Sequence, residues 1–216
     1  MGPSRRLAVV SVLAATALVL AAGQPAFGEI ERPHSLAFKV GYHVYPDSSY
    51  FDATEENFLG GSADLSGQSL ELFDYTYQWP SRWSLNASLV GGYYQEYVPT
   101  LSTQHSIFVH TITVTPLYRI AGSDKIGAWQ IYSGVGLGRY GSTIRFDSST
   151  IGGDEFSTYT LGYQALLGAE YRYNEQTGFL LEQKFSRARV RFGSELGDLE
   201  IDLGGFNLLV GVRVHF

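Results

Sequence analysis

The chain ends on Leu208-Leu-Val-Gly-Val-Arg-Val-His-Phe216, and the alternation in this segment constrains the fold more than any other stretch. In an extended conformation Leu208, Val210, Val212, Val214 and Phe216 point one way, and Leu209, Gly211, Arg213 and His215 point the other. A period of two, with one face apolar and the other carrying titratable groups, describes a strand lying between two different solvents.

The same pattern recurs along the chain. Eight strands are expected: Leu36–Tyr45, Ser69–Gln78, Trp83–Tyr94, Ile107–Ile120, Ala128–Tyr140, Thr158–Tyr173, Phe179–Phe192 and Leu203–Phe216. The sixth alternates best, with Tyr159, Leu161, Tyr163, Ala165, Leu167, Ala169, Tyr171 and Tyr173 on one face and only Leu166 apolar on the other. The second has poor parity. Phe73, Tyr75 and Tyr77 share a face, while Leu70 and Leu72 fall on the other with Asp74. A bulge near Leu72-Phe73 would restore the pattern. In the fourth, Pro116 breaks the ladder near one end.

The connections alternate in length. Polar segments 46–67, 95–106, 141–156 and 193–202 follow the odd-numbered strands. Short turns at Trp79–Arg82, Ala121–Lys125 and Asn174–Thr177 follow the even-numbered ones. Tight turns at one end and long loops at the other are the habit of a membrane barrel, and an even strand count brings both termini to the short-turn side. Strands of this length match a tilted crossing of a bilayer.

A β-sandwich or a soluble barrel also alternates. The two differ in sign, because a soluble barrel buries its apolar face and a membrane barrel shows it to lipid. The start of the chain favours the membrane reading. Arg5 and Arg6 precede an uncharged run from Leu7 to Ala22, and Ala26-Phe27-Gly28 offers small residues where a signal peptidase cuts. Residues 1–28 therefore read as a secretory signal and residues 29–216 as one domain. No second apolar run of helix-spanning length follows.

Composition narrows the class further. The chain has 15 Tyr, 13 Phe, 3 Trp and 25 Gly with only 17% charged residues, a balance suited to strands, membrane interfaces and a narrow barrel interior. It has no cysteine, which excludes disulfides, thiolate metal sites, a Cys nucleophile and a lipoprotein anchor. Its formal net charge is −6, and no basic stripe is present to neutralise phosphates, so nucleic acid is not an expected partner.

The segment Thr160-Leu-Gly-Tyr-Gln-Ala-Leu-Leu-Gly-Ala-Glu-Tyr-Arg-Tyr173 and the ending Leu203–Phe216 resemble the small eight-stranded bacterial outer-membrane barrels around OmpX, OmpW and the OmpA transmembrane domain. The resemblance spans nearly all of the chain after the signal, but its motifs describe strands rather than a site. It implies an all-β, eight-stranded antiparallel up-and-down transmembrane barrel in the outer membrane of a Gram-negative cell, and a monomer is expected. It implies Phe216 as part of the signal read by the barrel assembly machinery, and periplasmic chaperones as partners during biogenesis.

Several constellations could carry function. Lys39, His43, Glu170, Arg172, Glu182, Lys184, Arg213 and His215 share the polar face. In an eight-stranded barrel, side chains can fill the interior, and mixed charges there pair. These residues are therefore expected to staple the lumen shut; a proton or ion path is the alternative. Arg187, Arg189 and Arg191 share the parity of Phe179, Leu181 and Phe185, which places them facing lipid near the outer headgroups. Guanidinium groups grip phosphate bidentately, so a lipopolysaccharide phosphate contact is expected, with pairing to loop acids as the alternative. Those acids are Asp47, Asp52, Glu55, Glu56 and Asp64 in the first loop and Glu195, Asp198, Glu200 and Asp202 in the fourth. Their spacing matches no cation-loop motif. His105 and His110 are five apart, on opposite faces of a strand, and form no metal pair.

Some small barrels are lipid A 3-O-deacylases with a His-x-Ser pair. Here Gln183-Lys-Phe-Ser-Arg-Ala-Arg189 has Ser186 but lysine two residues before it, and a serine without a base is a weak nucleophile. The expectation is a non-enzymatic barrel without cofactor or metal, in a structural or surface-interaction role with outer-membrane lipids as its surroundings. A narrow channel or lateral-transfer barrel for small solutes is the alternative.

Overall fold

In the computed structural model the described residues are 32–44, 67–98, 103–148, 152–194 and 197–216, with only the backbone described at 67–68, 72, 93–98, 103–107, 144–148, 152–156, 191–194 and 197–201. The expected signal segment 1–28 and the first-loop acids Asp47, Asp52, Glu55, Glu56 and Asp64 lie outside the described residues, as does Glu195.

Alternating residues cannot bury both faces of a strand, so the sheet closes on itself and separates them. The strands are β1 (His34–Val44), β2 (Gly67–Gln78), β3 (Trp83–Val98), β4 (Thr103–Gly122), β5 (Trp129–Ser148), β6 (Gly152–Arg172), β7 (Thr177–Arg187), β8 (Arg189–Ser194), β9 (Gly197–Asp202) and β10 (Gly205–His215). Eight of them form a closed antiparallel barrel in the order β1-β10-β7-β6-β5-β4-β3-β2. The seam between the first and last strands pairs without a slip from Ser35↔His215 to Val44↔Phe206. Closure leaves these strands no edge to aggregate.

The sign of the alternation is the inverted one. Phe38, Val40, Ile112, Val114, Leu137, Leu181, Val210 and Val212 are exposed on the outside, and Leu161 is 83% exposed. Lys39, Glu71, Asp74, Glu170, Glu182, Lys184 and Arg213 are buried inside. A continuous outer belt of this kind suits hydrocarbon and not water. Aromatic pairs ring the short-turn end: Trp83 with Tyr118, Trp129 with Tyr171, Tyr173 with Phe179, and His34 stacked on Phe216 at 5.9 Å. Such rings prefer the boundary between headgroups and water.

The parity fault in β2 is a one-residue bulge at Leu72. The β2–β3 register shifts between Glu71 and Phe73, and opposite Ala37/Lys39 the β1–β2 register shifts at the same place. Both neighbours therefore see the same extra residue. The bulge turns Glu71 and Asp74, three apart in sequence, onto the same inner face; an unbroken strand would point Glu71 at lipid. Pro116 interrupts the ladder on one side only, since Thr115 and Pro116 lack pairs with β5 while Pro116 still pairs with Leu85 of β3.

The expected loop limits need correction. Strands β3 and β4 stay paired to Val98↔Thr103, and β5 and β6 to Ser148↔Gly152, so most of segments 95–106 and 141–156 is strand. Side-chain hydropathy marks where the apolar belt ends, whereas the backbone ladder needs no apolar side chain and runs past it.

The expected seventh strand, Phe179–Phe192, is also not one barrel strand. Strand β7 stops at Arg187, and 189–202, expected to be partly strand and partly loop, folds as the separate β8–β9 hairpin. Its pairing begins at Arg189↔Asp202, three residues beyond Ser186↔Gly205 on each chain, so the bend inserts nothing into the register. Asp202 makes the bend. Its Oδ1 accepts N–H groups from Ala188 at 3.1 Å and Gly204 at 2.9 Å, taking donors that a flat ladder would have used. On the other side, β6 loses its β7 partner above Tyr163↔Arg187.

Candidate functional site

The inner wall is divided by chemistry. Over most of their length strands β3 and β4 contribute neutral groups: Ser88 and Thr113 share a hydrogen bond of 2.8 Å, and Gln164 of β6 donates to Thr113 at 3.0 Å and Thr115 at 2.7 Å, while β4 adds the buried Arg119 near the short turns, paired with Asp124 at 3.5 Å. Strands β1, β2, β6, β7 and β10 contribute the charges of the central network.

Lys39 of β1 is the hub. Its Nζ donates to Asp74 of β2 at 2.5 Å and to Glu182 of β7 at 2.6 Å, and lies 3.5 Å from Glu71. Lys184 of β7 donates to both oxygens of Glu71 at 2.7 Å. Arg213 of β10 donates to Glu170 of β6 at 2.8 Å and approaches Asp74 and Glu182 at 3.6 and 3.7 Å. His215 also meets Glu170, at 2.7 Å, and Gln130 donates to that carboxylate at 3.0 Å. Tyr132 donates to Glu182 at 2.6 Å. Arg172 stands 3.7 Å from Glu170 at the short-turn mouth. The network thus joins four cations (Lys39, Arg172, Lys184, Arg213) to four carboxylates (Glu71, Asp74, Glu170, Glu182). A buried set of charges holds together only when each is paired and hydrogen-bonded.

Glycine makes the room. A Cβ at Gly211, directly across from Lys39, would sit 2.7 Å from the lysine Cγ, and one at Gly168 would sit 2.5 Å from the Tyr132 ring. A small apolar cluster of Ala37, Leu117, Tyr132, Leu166 and Leu180 packs into the same interior.

Of the eight polar-face residues expected from sequence, Lys39, Glu170, Arg172, Glu182, Lys184, Arg213 and His215 come together in this network. His43 is buried but stands apart, with Nε2 3.4 Å from the Gly204 carbonyl oxygen at the other end of the lumen. Glu71 and Asp74 were missed, and both are central. A signal for them was present: the seven joined residues carry four cations and only two carboxylates, Glu170 and Glu182, so two acids were owed, and the strand with faulty parity held them.

Glu71, Asp74 and Glu182 each offer an oxygen within 4.8 Å of the others, a spacing that could hold a metal ion. The Lys39 ammonium already lies among them and supplies the compensating charge. Towards the outer end, a cavity of about 30 Å³ is lined by His43, Tyr140, Lys184, Ser186 and Asn207, among others. Its volume suits a couple of waters rather than a solute.

The expected arginine row divides at the bend. Arg187 is exposed at the top of β7, with Nε 3.4 Å from Asp202, one of the loop acids. Arg189 is exposed in β8. The side chains of Arg191, Asp198, Glu200 and His105 are outside the described residues, so the expected separation of His105 and His110 onto opposite faces lies there too. Ser186 is buried in the wall beside the Lys184–Glu71 pair.

No protein-family profile and no curated relative matches the chain. Solved structures do. Neisserial surface protein A superposes with a TM-score of 0.54 at 17% identity, covering 85% of this chain and 96% of that one. The outer membrane protein OprG from Pseudomonas aeruginosa gives 0.54 at 17% identity, covering 86% and 96%. At such identities the likeness is one of fold, and it coincides with the closed eight-stranded wall, the inverted faces and the aromatic ring derived above. The chain shares with these two outer-membrane proteins the fold of a closed eight-stranded antiparallel β-barrel.

Proposed function

We propose that this chain is a monomeric outer-membrane barrel, exported by a cleaved signal, with a lumen held shut by ion pairs and a structural or surface-interaction role. The carrying observation is the Lys39 hub. It ties β1 to β2 and β7 across the interior, and none of Lys39, Glu71, Asp74 or Glu182 is more than 1% exposed. A conducting pore keeps charged groups hydrated, whereas a set this dry and this fully paired works as a plug.

The reading is non-enzymatic. Ser186 lacks a histidine two residues before it, and Lys184, which stands there, is committed to Glu71. The outward apolar belt supports outer-membrane lipids, lipopolysaccharide included, as the surroundings. Assembly machinery and periplasmic chaperones are partners in biogenesis on this reading, with Phe216 as part of the recognition signal. Nucleic acid is not a partner.

Planar-bilayer recording tests the plug. The full mature chain is expected to give no resolved conductance steps in potassium chloride, and a Glu71→Ala, Lys184→Ala double variant is expected to give small, frequent ones. Steady conductance from the unaltered chain would favour the narrow-channel reading instead.

A further inference from the structure

The outer rim carries a cluster that the sequence pattern only half revealed. The outward series of β5, Trp129, Ile131, Val135 and Leu137, ends on the exposed Arg139. That of β7, Phe179, Leu181 and Phe185, ends on Arg187. Each arginine stands ten residues above its strand's first residue, so both cap the apolar belt at a similar height. Strand β6 runs between them, pairing Leu161 with Arg139 and Tyr163 with Arg187. Two strands and two residues apart, the arginine Cα atoms are separated by roughly 12 Å.

Both side chains are held from behind. The Arg139 guanidinium lies 3.9 Å over the Tyr159 ring, and Arg187 is anchored through Nε by Asp202. An anchor at Nε leaves the two terminal nitrogens for another acceptor, which is the bidentate geometry that suits phosphate. One outward step below Arg139 and Arg187 on their own strands lie the exposed Leu137 (73%) and Phe185, and Leu161, 83% exposed, lies directly across from Arg139. The β6–β7 ladder ends at Tyr163↔Arg187, and β8 leaves the sheet there while staying beside β6. Cations above and a greasy face below fit an amphiphile that carries its phosphates over its acyl chains.

We propose that Arg139 and Arg187, with Tyr159, Leu137 and Leu161, form a lipid-facing site for the phosphate monoesters of an outer-leaflet glycolipid of the lipid A type. Arg189, exposed one step beyond on β8, extends the same edge. This inference rests on the membrane-barrel reading.

The test uses the full mature chain refolded into vesicles doped with bisphosphorylated lipid A, dephosphorylated lipid A or phosphatidylglycerol. Heat-modifiable gel mobility scores folding, and native mass spectrometry counts lipids retained after transfer to detergent. The unaltered chain is expected to retain bisphosphorylated lipid A about tenfold better than either other lipid, and excess inorganic phosphate should leave that lipid bound. An Arg139→Gln, Arg187→Gln pair should lose about tenfold of the retention, and the Lys,Lys pair should fall between, because lysine keeps the charge but not the fork. Equal retention of dephosphorylated lipid or phosphatidylglycerol, displacement by inorganic phosphate, or a folded Gln pair that binds like the parent would each overturn the site. The lipid comparison needs no variant, so a misfolded variant leaves it decisive. Failure of the unaltered chain to fold in any vesicle would count against the membrane reading itself.

Discussion

Replacing Lys39 with alanine is expected to destabilise the folded barrel by about 3–5 kcal/mol, the cost of breaking a buried ion pair by removing one partner. Lys39 lies within hydrogen-bond or ion-pair distance of three carboxylates on two other strands, and none of them reaches water. Without the ammonium, the one cation left near Asp74 is the more distant Arg213, Glu71 keeps Lys184, and Glu182 shares Lys184 and keeps Arg213 and the Tyr132 hydroxyl. The added Glu182→Gln change should recover part of the loss, because it removes one of the stranded charges. Urea titrations of the single and double variants in lipid vesicles, followed by tryptophan emission, measure both values and their coupling. A single-variant effect under about 1 kcal/mol would mean that water reaches the network and that the plug is not dry.

A second large effect is expected on the opposite face. Val210→Arg should cost about 2–4 kcal/mol in a bilayer, the penalty for an arginine near the midplane on the lipid side of a barrel. Val210 sits at the centre of β10 and is 50% exposed, pointing away from the lumen. On a water-soluble barrel the same change at an exposed site would stay within about 0.5 kcal/mol. The same titration on Phe206→Arg, nearer the outer end of β10, should show a smaller penalty, since the cost falls towards the interface.

Which parts of this architecture could be read from sequence follows from what a period of two encodes. Parity alone separates the faces of β1, β6 and β10, and it placed Lys39, Glu170 and Arg213 inward. Parity fails wherever the backbone departs from a regular ladder. One extra residue, Leu72, hid Glu71 by turning it from the face its spacing indicated. Asp202 looked like one more loop acid, yet it holds the bend that ends β7, because capping two backbone N–H groups leaves no trace in hydropathy. The outer strand ends were invisible for a related reason: beyond the apolar belt, residues such as Gln95 and Ser106 pair as backbone, and nothing in their side chains announces it. Arg139 stands alone in its strand, so spacing gives no sign of it, and only the sheet brings it near Arg187.

The inverted barrel is tested most directly by its accessibility pattern. The chain has no cysteine, so single cysteines at positions 208 to 214 can each carry a nitroxide without background. In lipid vesicles, labels at Leu208, Val210, Val212 and Val214 should be relaxed strongly by oxygen and weakly by a water-soluble nickel complex, while those at Leu209, Gly211 and Arg213 should be shielded from oxygen. Strong relaxation of the Val210 label by nickel, or loss of the two-residue period, would contradict an apolar face turned to hydrocarbon.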